Sequence, residues 1–222
     1  MRAFEARRQI GSILAACSIV NDPISELLDV LDLKERDDKG FVGLGSGHSG
    51  YGLYGGHQIA QSIVAAYRSV DPQRRLHSVH ALFLRGGDGI QKIDYDVETI
   101  RDGRTFCQRR VTGSQNAKSI FDLTSSFHTP EAGPGVISPP PPQYLEKPEN
   151  LPTFEECMME VGPIFGEEWS HGPRPVEYRI EHAPWSPTGP SETGGINFWF
   201  RARRPLSDEP EVHAAILAYM SD

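Results

Sequence analysis

The sequence predicts an α+β fold in which one apolar helix is wrapped by an antiparallel sheet. From Gln58 onward, Ile59, Ile63, Val64, Ala66, Tyr67 and Val70 cover most of a helical circumference. A helix apolar on most sides is enclosed by other elements. Four strand-like stretches then follow between residues 77 and 128, joined by very short turns, which is the pattern of an antiparallel meander. After a proline-rich break, the order of strand and apolar helix starts again.

The elements can be justified in chain order. "ISELLDVLDL" (24–33) places Ile24, Leu27, Leu28 and Leu31 on one helical face. "FVGLGS" (41–46) is a short strand running into glycine. The glycines of "GYGLYGGHQ" allow close backbone approach and precede a helix start with free N–H groups. "HSVHALFLR" (77–85) is mostly apolar, and "KIDYDVETIR" (92–101) alternates, with Ile93, Tyr95, Val97 and Thr99 opposite Asp94, Asp96 and Glu98. Asp102-Gly103 is a hairpin signal leading into "RTFCQRRVT" (104–112). "SQNAKS" then turns the chain into "IFDLTSSFH" (120–128). A buried helix followed by a curved meander is the order of a hot-dog domain, the sheet being the bun and residues 57–70 the sausage. Residues 129–152 are rich in proline and read as an extended linker, followed by an acidic segment (153–168). "VEYRIEH" (176–182) and "INFWFRARR" (196–204) alternate as strands. "SDEPEVHAAILAYMSD" opens a helix with Asp208 as N-cap, Pro210 in the first turn and Glu211 three residues after the cap. Val212, Ile216, Leu217, Tyr219 and Met220 give it a wide apolar arc. The expected organisation is an N-terminal extension (1–22), a first hot-dog domain (23–130), a proline-rich linker (131–172) and a partial second hot-dog domain (173–222).

Composition narrows the function classes. A net charge of −8 argues against nucleic acid as the main partner, because phosphate binding needs a basic surface. Arg109-Arg110 and Arg201-Ala-Arg203-Arg204 are local basic clusters that read either as phosphate contacts or as solvated faces. No apolar run is long enough to span a bilayer. "LAAC" (14–17) mimics a lipoprotein cleavage site, but the apolar run before Cys17 is short and interrupted by Gly11 and Ser12, which favours an extension or short helix. The three cysteines, Cys17, Cys107 and Cys157, have no pairing pattern and suit a reducing cytosol. Cys107 reads as a strand residue rather than a nucleophile. No metal set is expected. His77 and His80, three apart on one strand, should point to opposite faces, one toward the core and one away. No cofactor is implied.

Taken together, "YGGHQIAQS", "LHSVHALFLRGGD", "YDVETIRDGRTFCQRRV", "SIFDLTSSFHTPEAG" and the terminal "VHAAILAYMSD" resemble the acyl-CoA thioesterase II family, in order and with the right separations from about Ile24 to Asp222. The resemblance implies a double hot-dog enzyme that hydrolyses fatty acyl-CoA thioesters. It assigns Asp222, in the "YxSD" segment, as the catalytic aspartate, completed by a Thr or Ser and a Gln from strands after that position. None of those strands is in the 222 residues, so the chain is expected to be a fragment with an incomplete site. The family commonly shows "GGQ" where this chain has Gly55-Gly56-His57. His57 then faces the acyl pocket or is a helix-start residue, and both readings stay open. Gly56, His57, His77 and His80 are the candidate accessory, oxyanion or acyl-pocket residues; for the two strand histidines a hydrogen-bonded structural role is the better reading.

The chemistry so implied is attack of a positioned water on an electrophilic thioester, with Asp222 as base and helix-start N–H groups facing the oxyanion. No GxSxG elbow is present for a serine-hydrolase route. The alternatives are a non-catalytic acyl-CoA-binding module and a hot-dog acyl-CoA dehydratase or hydratase. The latter wants a His/Asp pair near the helix. The expected partners are acyl-CoA and further copies of the chain, since hot-dog units pair and exposed sheet edges favour association. The expected location is cytoplasmic, or peroxisomal if the source is eukaryotic, although this chain carries no C-terminal signal for the latter.

Overall fold

A computed structural model describes residues 22–46, 52–133, 146–161, 174–181 and 197–222. Cys17 and the LAAC segment lie outside them. Helix α1 (Pro23–Leu31) begins with proline in its first turn and buries Ile24, Leu27 and Leu31, the stripe expected from the periodicity. Two short strands, β1 (Lys34–Glu35) and β2 (Phe41–Gly43), lead to helix α2 (Gly55–Tyr67). The meander follows as β3 (Arg75–Phe83), β4 (Ile93–Asp102), β5 (Phe106–Gln115) and β6 (Lys118–His128). The six strands form one antiparallel sheet in the order β1-β2-β4-β5-β6-β3, which leaves β3 at an edge.

This sheet folds around α2 as the hot-dog pattern requires. Its concave face carries Ile93 and Tyr95 of β4, Cys107 and Val111 of β5, and Phe121, Leu123 and Phe127 of β6, all without solvent exposure. Register matches these residues across the ladder: Val111 sits opposite Leu123, Cys107 opposite Phe127 and Gly113 opposite Phe121. Gly113 is the small partner that the ring of Tyr95 needs, since a Cβ there would lie 3.2 Å from Tyr95 Cε1. On α2, Gly56 to Gln58 and Ala60 to Ala66 are buried, so the helix is enclosed on nearly every side.

Two hairpins show how local chemistry sets the meander. Asn116 and Ala117 both adopt positive φ (50° and 58°) between Gln115 and Lys118, a two-residue turn of the kind that suits strand twist. The Asp102-Gly103 signal works differently. Gly103 keeps negative φ, and a three-residue loop joins β4 to β5, closed by Gly103 N–H donating to the Phe106 carbonyl at 2.9 Å. Arg109, read as a possible phosphate contact, is instead buried and ties this corner together. It pairs with Asp102 at 2.8 Å and donates to Ser69 Oγ at 3.0 Å.

The second unit comprises a 3₁₀ turn (Pro148–Asn150), helix α3 (Phe154–Val161), a two-stranded sheet of β7 (Val176–Glu181) and β8 (Asn197–Ala202), and helix α4 (Pro210–Met220). The segment expected to be linker therefore contains structure: Leu151, Cys157 and Met158 are buried, and Arg179 donates to the Leu151 carbonyl at 2.6 Å. The N-cap of α4 is Glu209 rather than Asp208, and it makes no side-chain cap bond. Leu217, assigned to the apolar arc, is exposed, whereas Ala215, Ile216 and Met220 are buried in the same core as the α2 residues. Arg201, Arg203 and Arg204 are all paired, with Glu177, Glu155 and Asp22 respectively. Their cluster is therefore a set of surface ion pairs.

Candidate active site

Helices α2 and α4 lie side by side in opposite directions. The start of α2 meets the end of α4 through Gly56 and Asp222, while Arg68 after α2 lies 3.8 Å from Glu211 in the first turn of α4. Antiparallel helices place opposite partial charges at each end. They can approach because α2 begins Gly55-Gly56. A Cβ on Gly56 would collide with the Tyr219 carbonyl oxygen, and a Cβ on Gly55 would lie 2.7 Å from Asp222 Oδ2.

At this junction the Gly56 N–H donates to Asp222 Oδ2 at 3.1 Å. That N–H is one of the free donors of a helix start, at the end where the dipole favours an anion. Two tyrosines hold the segment that carries the carboxylate. Tyr54 Oη lies 2.8 Å from the Tyr219 carbonyl and 2.9 Å from the Asp222 carbonyl, its one proton shared between them, and its ring meets Tyr219 edge-on with centroids 5.0 Å apart. Tyr178 Oη, from β7, donates to the Met220 carbonyl at 3.0 Å. Burial pushes the phenols of Tyr54 and Tyr178 up from their ordinary value, so both remain donors. The last carbonyls of α4, which have no intrahelical partner, are satisfied in this way.

Of the other candidates, Gly56 is at the junction and gives its N–H to the carboxylate. His57 is buried, its Nε2 lying 2.9 Å from the Leu44 carbonyl. A carbonyl only accepts, so Nε2 carries the proton. Burial holds the ring's pKa below the usual value. Gln61 shares this face, donating to Leu44 and Val30 carbonyls and accepting from Tyr95 Oη at 2.8 Å. His57 and Gln61 thus fasten α2 to β2 and α1.

The expectation that His77 or His80 faces the core is not met, because both are exposed on edge strand β3. The register shifts between Leu76 and Ser78, and this bulge at His77 breaks the strict alternation on which the expectation rested. His77 Nε2 lies 3.0 Å from Ser126 Oγ, with its ring against Phe106 and His128. Cys107 is fully buried in β5. Among the described residues no group of His, Cys, Asp or Glu could hold a metal ion, and no helix is long and apolar enough to cross a membrane.

The sequence pattern did not single out Tyr54, Tyr178 or Gln61. The Gly55-Gly56 pair signalled a close approach, but its partner lies more than 160 residues later in the chain.

Comparison with known proteins fits this arrangement. Residues 45–128 match the acyl-CoA thioesterase N-terminal domain family. The chain is 29% identical to acyl-CoA thioesterase 2 of Haemophilus influenzae over 206 residues, covering 91% of this chain and 71% of that protein. It is 29% identical to human acyl-coenzyme A thioesterase 8 over 224 residues, with coverages of 93% and 69%. Among solved structures, the tesB protein of Mycobacterium avium subs paratuberculosis superimposes with a TM-score of 0.66 at 30% identity, covering 89% of this chain and 69% of that one. The acyl-CoA thioesterase II TesB2 from Mycobacterium marinum gives 0.66 at 31%, with coverages of 88% and 67%. Identity at this level over most of the chain, on the same helix-in-sheet architecture, places the protein in the acyl-CoA thioesterase II (TesB) family.

Proposed function

We propose that the protein hydrolyses fatty acyl-CoA to free fatty acid and CoA, with Asp222 as the general base. The observation that carries this reading is the docking of the Asp222 carboxylate on the Gly56 N–H at the start of the enclosed helix. Family membership supplies the reaction class. In the proposed step, Asp222 takes a proton from water as the water oxygen bonds to the thioester carbonyl carbon. The tetrahedral oxyanion then re-forms the carbonyl and expels the CoA sulfur, which takes up a proton.

Direct attack by water suits the described thiols. Cys107 and Cys157 are both buried, and burial pushes the Cys157 thiol up, away from the thiolate form that a nucleophile needs. In this reading the apolar tail of the substrate lies between α2 and the sheet, and the Phe83 ring stands beside Gly55 at the start of α2. Self-association fits the same picture, because β3 is a sheet edge bearing the exposed side chains of Val79, Leu82 and Phe83.

Free thiol release from a series of saturated acyl-CoA esters tests the proposal. Release dependent on Asp222 supports it. Hydration of crotonyl-CoA without thiol release would assign the site to a hydratase instead.

A further inference from the structure

Helix α2 buries four polar side chains, His57, Gln58, Gln61 and Ser62. His57 and Gln61 face β2 and α1, and each finds a hydrogen-bond partner there. Gln58 Oε1 and Ser62 Oγ have none, although Gln58 is 2% exposed and Ser62 0%. A buried polar atom without a partner is costly and rare in a folded protein. The two residues are four apart on the helix and therefore neighbours on its surface. They continue the stripe that begins at Gly55, where a Cβ would touch Asp222 Oδ2. Side chains on a helix lean toward its N-terminus, so both lean toward the carboxylate end.

We propose that Gln58 and Ser62 are specificity-determining residues that select acyl chains bearing a hydroxyl group part-way along the tail, an inference that rests on the thioesterase reading above. A single hydroxyl donates to Gln58 Oε1 and accepts from Ser62 Oγ, so one substrate group satisfies both orphaned atoms. Gln58 and Ser62 stand roughly 4.5 and 10.5 Å along the helix axis from Gly55, at about 1.5 Å per residue. An extended chain advances about 1.3 Å per bond, so the hydroxyl belongs about four to eight bonds beyond the thioester carbon. A plain alkyl chain in the same position leaves both polar atoms unpaired, and sites built to bond a substrate hydroxyl reject the analogue that lacks it.

The test pairs hexanoyl-CoA with 6-hydroxyhexanoyl-CoA for turnover, and the non-hydrolysable thioethers S-hexyl-CoA and S-(6-hydroxyhexyl)-CoA for binding. The expected result is that the hydroxylated member of each pair is favoured by about tenfold or more, in kcat/KM and in Kd. The preference should disappear in Gln58→Leu and in Ser62→Ala, with thermal unfolding run on each to confirm a folded chain. Equal binding of the two thioethers to the unmodified protein overturns the proposal, the orphaned atoms then holding only trapped water. A preference that survives in both variants overturns it as well. If neither ester releases thiol but the hydroxylated thioether still binds tighter, the hydrolase reading fails and the assignment of Gln58 and Ser62 stands.

Discussion

Replacing Gly56 with alanine should separate the two helices that build the site. The added Cβ would lie 2.6 Å from Tyr54 Cε1 and closer still to the Tyr219 carbonyl oxygen, whereas ordinary contact begins near 3.4 Å. The Tyr54 ring can tilt, but a backbone carbonyl cannot swing aside as a side chain can, so relief at the Tyr219 oxygen requires α4 to retreat by on the order of 1 Å. Tyr54 bonds the carbonyls of both Tyr219 and Asp222, so the whole terminus moves and the Gly56–Asp222 hydrogen bond lengthens from 3.1 Å. A misplacement of about 1 Å at a reacting group costs on the order of a hundredfold in rate. Overpacking costs about 1–3 kcal/mol, offset by up to about 1 kcal/mol of helix propensity gained over glycine. Gly56→Ala should therefore lose about two orders of magnitude in acyl-CoA hydrolysis with a modest fall in stability. The nearest atoms to the Cβ of Gly55→Ala are side-chain atoms of Asp222 and Phe83, and this variant should lower activity at a smaller cost in stability. Thiol-release kinetics beside thermal unfolding measure both effects. Full activity in Gly56→Ala, with an unchanged melting temperature, would refute the close helix contact.

The remaining predictions concern stability. His57 is buried with its pKa below the ordinary 6.5, so the unfolded chain binds the proton more readily, and the contribution of His57 to stability is present above pH 6.5 and lost as pH falls toward the folded value. Thermal melts across that acid range should show the loss in the unmodified protein and a flatter profile in His57→Gln. Tyr95→Phe leaves Gln61 Oε1 buried without its 2.8 Å donor and should cost about 1–3 kcal/mol by denaturant unfolding; a neutral result would contradict the buried bond. Ala117 holds a left-handed conformation at φ 58°, so Ala117→Gly should stabilise the protein by about 1 kcal/mol. A lowered melting temperature in that variant would show the turn to be of another type.

The enclosed helix and its meander were legible because they rest on local patterns. Apolar residues around most of α2 demanded a wrapping sheet, and β4 showed its inward Ile93 and Tyr95 by simple alternation. Where a non-local feature intervened, the pattern failed. The bulge at His77 altered the alternation of β3, and no signal in "HSVH" announces a bulge. Leu217 belonged to the apolar arc of α4 by spacing but is exposed, since spacing does not state how much of an arc is covered. At the candidate site, Asp222 was reached only through resemblance, and its neighbours Gly56, Tyr54 and Tyr178 are brought together by packing of α2 against α4 and β7. Contacts across that separation leave no local trace. The orphaned Gln58 and Ser62 are equally invisible in sequence, where two polar residues on a helix read as solvated.

The most direct measurement is steady-state hydrolysis of a fatty acyl-CoA by Asp222→Asn beside the unmodified protein, with binding of a non-hydrolysable acyl-CoA thioether measured for both. The amide keeps the shape of the side chain and can still accept from the Gly56 N–H, but it cannot take a proton from water. The account predicts binding within a few-fold and a turnover loss on the order of a hundred- to ten-thousand-fold. Turnover by Asp222→Asn near that of the unmodified protein would contradict it, leaving Asp222 as a residue that only anchors the end of α4 to the start of α2.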